Sequence, residues 1–214
     1  MQKLTLKQLD SGIDASISNA GSLIEEAQLL LKFGFHARAY TLSHIAREEL
    51  SKVTMLYSSG LRMLAGHPVD WGKLHKRLRD HKSKLTSDAL QLFVGTPGAA
   101  TTLPLEKFMS GSSSRNEWKN ESLYVALKGE TFKTPSEMIT FKKAERTIIL
   151  AMFVLDDARR YVSIGGKLTN RNPKEVKKIF ENLDPNKVTW EDCVSLITQL
   201  AKHIKARTDS TDQT

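Results

Sequence analysis

The sequence predicts an all-α protein, a helical bundle with one long loop and a small β-hairpin insert. Three observations carry this. Apolar residues recur at three- and four-residue steps through long stretches. Short Gly- and Pro-marked breaks separate those stretches, and strand-like composition is confined to one brief segment.

The first run extends from about Lys7 to Phe33, with Ile13, Ala20, Ile24, Ala27 and Leu31 on one helical face, and Gly34 breaks it. The second runs from about Ala37 to Leu64 and carries Leu42, Ile45, Ala46, Leu50, Val53, Leu56 and Tyr57. Gly66-His67-Pro68 stops it, because proline cannot continue a helix. So short a connection implies an antiparallel helical hairpin. A third helix is expected from about Trp71 to Phe93, with Leu74, Leu78, Leu85, Ala89 and Leu92 in line. The stretch from Gly95 to Asn116 is rich in Gly, Ser, Thr and Pro and reads as the long loop.

Leu123-Tyr124-Val125 and Thr131-Phe132, with Gly129 in the turn, read as the hairpin. Thr134, Pro135 and Glu137 form a capping box that opens a helix continuing to about Ile164, where Gly165-Gly166 ends it. The stretch Ile148 to Leu155 is apolar on all sides, which suits a central core helix or a subunit interface. Asn172-Pro173-Lys174-Glu175 starts a further helix, and Thr189 with Asp192 starts the last. The expected organisation is one domain over residues 1–214, with a core at 7–165 and C-terminal helices at 172–206.

Composition narrows the function classes. The chain has 214 residues, 40% hydrophobic and 26% charged, the make-up of a globular domain. Its net charge of +8 favours acidic partners such as nucleic acid. A lone cysteine, Cys193, excludes an internal disulfide and a cysteine-based zinc cage. No apolar run is long enough to span a bilayer, and the N-terminus lacks the apolar core of a signal peptide. A cytoplasmic protein without membrane contact is expected. No P-loop, GxSxG, HExxH or dinucleotide fingerprint occurs, so neither a metal nor a cofactor is expected.

The informative positions are polar residues inside apolar stripes. With Leu42 at zero and 100° per residue, Glu49 falls at about −20°, in mid-stripe, while Glu48 points outward at about −120°. On the third helix, with Leu74 at zero, His81 also falls at about −20°, flanked by Arg77 and Lys84. A carboxylate on a core face needs a partner, and His81, Arg77 and Lys84 are available for Glu49. Two readings stand: a buried pair that fixes helix register, or a polar cleft around a titratable histidine. From Trp71 to Lys84 there are six Lys or Arg and one acid. Lys73, Lys76, Arg79 and Lys82 thus make either a solvated face or a contact surface for an RNA backbone. Asp156-Asp157 and Arg159-Arg160 read as surface ion pairs, and His36, His67, His75 and His203 as surface residues.

Asn19-Ala20, Glu26-Ala27, Arg38-Ala39-Tyr40-x-Leu42 and Glu48-Glu49-Leu50-Ser51-Lys52 occur in that order, followed by His81-Lys82-Ser83-Lys84-Leu85. Leu123-Tyr124-Val125 and Thr134-Pro135 follow further on. This combination, over roughly residues 15–165, resembles the abortive-infection protein AbiV of the HEPN superfamily. The resemblance implies a HEPN-like bundle, commonly dimeric, in a superfamily where many members are metal-independent ribonucleases of phage defence. It therefore implies a homodimer acting on RNA or the translation machinery, with a phage-encoded activator or a neutralising protein as further partners. The superfamily's usual motif is an Arg followed after four to six residues by His. Arg38 and His44 have that spacing but lie about 120° apart around their helix. Arg77 and His81 share a face with three residues between them. In the catalytic reading His81 exchanges the proton, Arg77, Arg79 or Lys84 stabilises the phosphorane, and Glu49 orients the histidine. Arg38, Glu48 and Lys52 then support the fold or the site. The alternatives are a non-catalytic module that binds RNA, nucleotide or protein through the basic face, and a purely structural dimer.

Overall fold

The computed structural model describes residues 2–80 and 117–181. These form helices α1 (Leu6–Lys32), α2 (His36–Leu64) and α3 (Trp71–Arg79), then α4 over residues 117–123. A hairpin of β1 (Ala126–Lys128) and β2 (Thr131–Lys133) follows. The described residues continue with α5 (Pro135–Met138), α6 (Phe141–Gly165), a 3-10 turn at Leu168–Asn170, and α7 (Pro173–Glu181).

A capping box at Thr5 opens α1, the Gln8 amide donating to Thr5 Oγ1 and the Thr5 amide to Gln8 Oε1. After Gly34, with a φ of 82°, α2 returns antiparallel as expected. Three apolar clusters bind α1, α2 and α6 into one bundle, each helix touching the other two. Leu9, Ile13, Val53, Leu56 and Tyr57 fill one end, with Leu168 beneath them. Ala27, Tyr40, Ile139, Ala144 and Ile148 fill the other. Between them Ala20, Ala46, Ala151 and Ala158 meet around Ile24, Leu50, Val154 and Leu155, small side chains that let the helices approach closely.

Several expectations are corrected. The all-apolar stretch from Ile148 to Leu155 is not the central helix: Ile149 and Met152 are exposed, and it is α2 that is buried on nearly every side. The helix after Thr134 is two helices. Its capping box forms, but Ile139 turns extended and fully buried, and Thr140 caps α6 by accepting from the Lys143 amide. The first hairpin strand lies three residues later than expected, because Leu123 ends α4. Its register sets Leu127 opposite Phe132, with Gly129 in the turn at a φ of 62°. α3 ends at Arg79 with Asp80 extended. The rest of the expected third helix, the whole of the long loop, and the helix at Thr189 with Cys193 and His203 lie outside the described residues. Asn172 starts α7 as expected, its Oδ1 accepting from the Lys174 amide. The ion pairs Asp156–Arg159 and Asp157–Arg160 form on the surface of α6. No described helix is long and apolar enough to cross a membrane.

Candidate functional site

Asp70 starts α3 by accepting from the Lys73 amide at 2.8 Å. Leu74 is buried and Leu78 packs on the cluster around Leu9 and Tyr57, so the helix is anchored by its leucines. Lys73, Lys76 and Arg79 remain exposed, and Arg77 is half-buried. Between α2 and α3 lies an open groove of about 520 Å³ lined by Arg62, Lys73 and Arg77, with Ser58, Ser59 and Asp70. Arg62 is held in place by donating to the Pro68 carbonyl. Both serine hydroxyls donate to the Met55 carbonyl, so the cations supply the donors for an anion here. Across the link that joins the two helices is a second hollow of about 330 Å³, lined by Lys3, Met63, His67, Val69 and Trp71.

The two glutamates exchange their expected places. Glu49 is half-buried, pairing with Lys52 at 2.6 Å and accepting from Asn19 Nδ2 of α1 at 3.2 Å. It thus joins Asn19, Glu49 and Lys52, three positions that carry the family likeness. Glu48, expected outside, is 3% exposed and pairs with Lys119 of α4 at 3.0 Å. The physical reason is that α2 has two buried faces. Its apolar face meets α1 and α6, while the opposite face carries Thr41, His44 and Glu48 against α4, where Thr41 and Ser122 hydroxyls lie 2.7 Å apart. His81, Lys82 and Lys84 lie outside the described residues. Arg38 is exposed whereas His44 is 2% exposed, so these two do not converge.

His44 sits among Arg47, Glu48 and Lys119, its Nε2 3.4 Å from Glu48 Oε1, and neither ring nitrogen has a hydrogen-bond partner. Burial holds its pKa below the ordinary 6.5; Arg47 and Lys119 act the same way and Glu48 opposes them. The folded protein therefore favours neutral imidazole, and the unfolded chain takes up the proton first. This contribution to stability is complete above 6.5 and is lost as pH falls through that value towards the folded pKa. In urea unfolding between pH 7.5 and 5, His44→Phe should flatten the loss of stability towards acid. An unchanged slope would count against a buried neutral histidine.

Sequence reasoning missed Arg62, Lys119 and the Thr41–Ser122 contact. Ser58, Ser59 and Arg62 share one turn of α2, a usable signal. Nothing local marks Lys119, whose partner is 71 residues away. Among the described residues no three His, Cys, Asp or Glu side chains converge to hold a metal ion.

Residues 8–156 match the family model described as AbiV, of HEPN type. No curated protein and no solved structure matches the chain.

Proposed function

The chain belongs to the AbiV family of HEPN proteins, and with it to abortive-infection phage defence, and we propose that it acts there by binding RNA through the cationic groove between α2 and α3. The observation that carries this reading is the groove itself, where Arg62 of α2 faces Lys73 and Arg77 of α3 and, among the described lining residues, the single carboxylate, Asp70, is spent on capping α3. Lys76 and Arg79 extend the same basic helix. Such a surface neutralises phosphates and releases their counterions, which makes binding steeply dependent on salt. The groove favours binding over cleavage as the first role, because His44 is buried elsewhere and Glu49 is engaged by Lys52 and Asn19.

The full-length protein should retain labelled RNA with an affinity that falls as salt rises, by a log–log slope of about −0.7 per neutralised phosphate on a single strand. Arg62→Ala with Lys73→Ala should weaken binding and make the slope shallower. No retention at low salt would refute the reading. Cleavage of the RNA, lost in His81→Ala with binding kept, would make the protein a ribonuclease; intact RNA would leave it a binder. In its active form the protein is a homodimer: exposed Ile149 and Met152 lie on one face of α6 with Glu145 and Arg159 equally spaced about Met152. An antiparallel second copy would set each Glu145 against the other chain's Arg159. Light scattering of the same samples should give twice the chain mass, and a monomer at micromolar concentration would exclude this.

A further inference from the structure

We infer that the hollow beside the groove accepts an unpaired base, so that the RNA bound is single-stranded or looped rather than duplex. This rests on the RNA reading above and deepens it. The two hollows lie on either side of the link between α2 and α3, and Val69 lines both. Their chemistry differs. The larger presents three cations, and its two serine hydroxyls are committed to a backbone carbonyl. The smaller is lined by Trp71, His67 and Met63, with Lys3 as the cation among its described lining residues.

The first suits a phosphate and the second suits a flat, apolar, polarisable ring. His67 is set as a wall, its ring packed 5.7 Å from that of Phe180. Trp71 is half-buried at the first position of α3, where Asp70 and buried Leu74 fix the helix that carries it. Because the hollows adjoin, a phosphate in one and a base in the other belong to the same short stretch of strand. A base held in a duplex cannot leave its stack to enter such a hollow without unpairing, whereas an unpaired base enters freely and stacks on the aromatic ring. Stacking of this kind tolerates any base, so the site selects for strandedness and not for sequence.

Three probes separate the contributions: a labelled single-stranded RNA, the same strand in a blunt duplex, and the same strand made abasic throughout. The full-length wild type should bind the single strand about tenfold more tightly than the abasic strand, the factor expected of one stacked base. Trp71→Leu, which keeps apolar bulk but removes the aromatic face, should lose that preference. It should leave duplex affinity and the salt slope unchanged, and Trp71→Phe should restore the preference. Arg62→Ala should instead weaken all three probes and reduce the slope. Equal affinity of the wild type for normal and abasic strands, or an equal effect of Trp71→Leu on all probes, would overturn the base-accepting hollow while leaving the RNA reading standing. Failure of every probe to bind would overturn both.

Discussion

Glu48→Ala should cost about 3–5 kcal/mol of folding stability, and Glu49→Ala less than about 1 kcal/mol. The side chains are adjacent in sequence and chemically alike, so the contrast comes from surroundings. Glu48 is 3% exposed and its carboxylate pairs with Lys119, itself 9% exposed. Truncation leaves an ammonium enclosed with Arg47 nearby and without the anion that offsets its desolvation. Glu49 keeps contact with water, and its pair with Lys52 spans one helical turn, an arrangement of small net value. Urea midpoints of the two variants measure the difference. Adding Lys119→Met to Glu48→Ala should recover part of the loss, because the orphaned charge goes with it. Equal midpoints for Glu48→Ala and Glu49→Ala would refute the buried pair.

Asp10→Ala is the second large effect, at about 2–4 kcal/mol. Asp10 is buried on α1 and accepts from the Leu168 amide at 2.9 Å, the Thr169 amide at 3.0 Å and the Thr169 hydroxyl at 2.9 Å. Its removal strands the amide of fully buried Leu168 and leaves that of exposed Thr169 to water. Leu168 packs so closely on α2 that a Cβ on Gly60 would collide with its side chain. Asp14→Ala, one turn on, should change stability by less than about 0.5 kcal/mol, since the Asp14–Lys167 pair is exposed on both sides. Thermal unfolding compares the two, and similar melting temperatures would exclude the buried anchor.

Much of this architecture was legible in the chain. α1 and α2 begin and end within a residue of their periodic runs, because Gly34 and Gly66 adopt positive φ where the pattern breaks. Both caps at Thr134 and Thr140 were also written in the sequence. The second is hidden by Ile139, an apolar residue between them that reads as helix. The glutamates read in reverse for a different reason. Periodicity locates one apolar face, and relative to that face alone Glu48 points outward. The second buried face of α2 is polar, made of hydroxyls and paired charges, and leaves no hydrophobic signature. The cationic side of the site was visible as a charge run on α3. Arg62, on another element, entered only through the packing of α2 on α3.

The seam where α6 lies against α1 and α2 has a consequence for the order of assembly. α1 and α2 are joined by three residues, so their contact closes cheaply and early, within the reach of a growing chain. α6 enters the same cluster from more than a hundred residues downstream of α1, and the entropy of that closure must be met before Ala151 and Val154 find Ala20 and Leu50. Until α6 emerges, the α1–α2 pair has to leave the sides of Ile24 and Leu50 wet. Substitutions in the α1–α2 seam should therefore slow refolding, while equally destabilising ones on α6 should mainly speed unfolding.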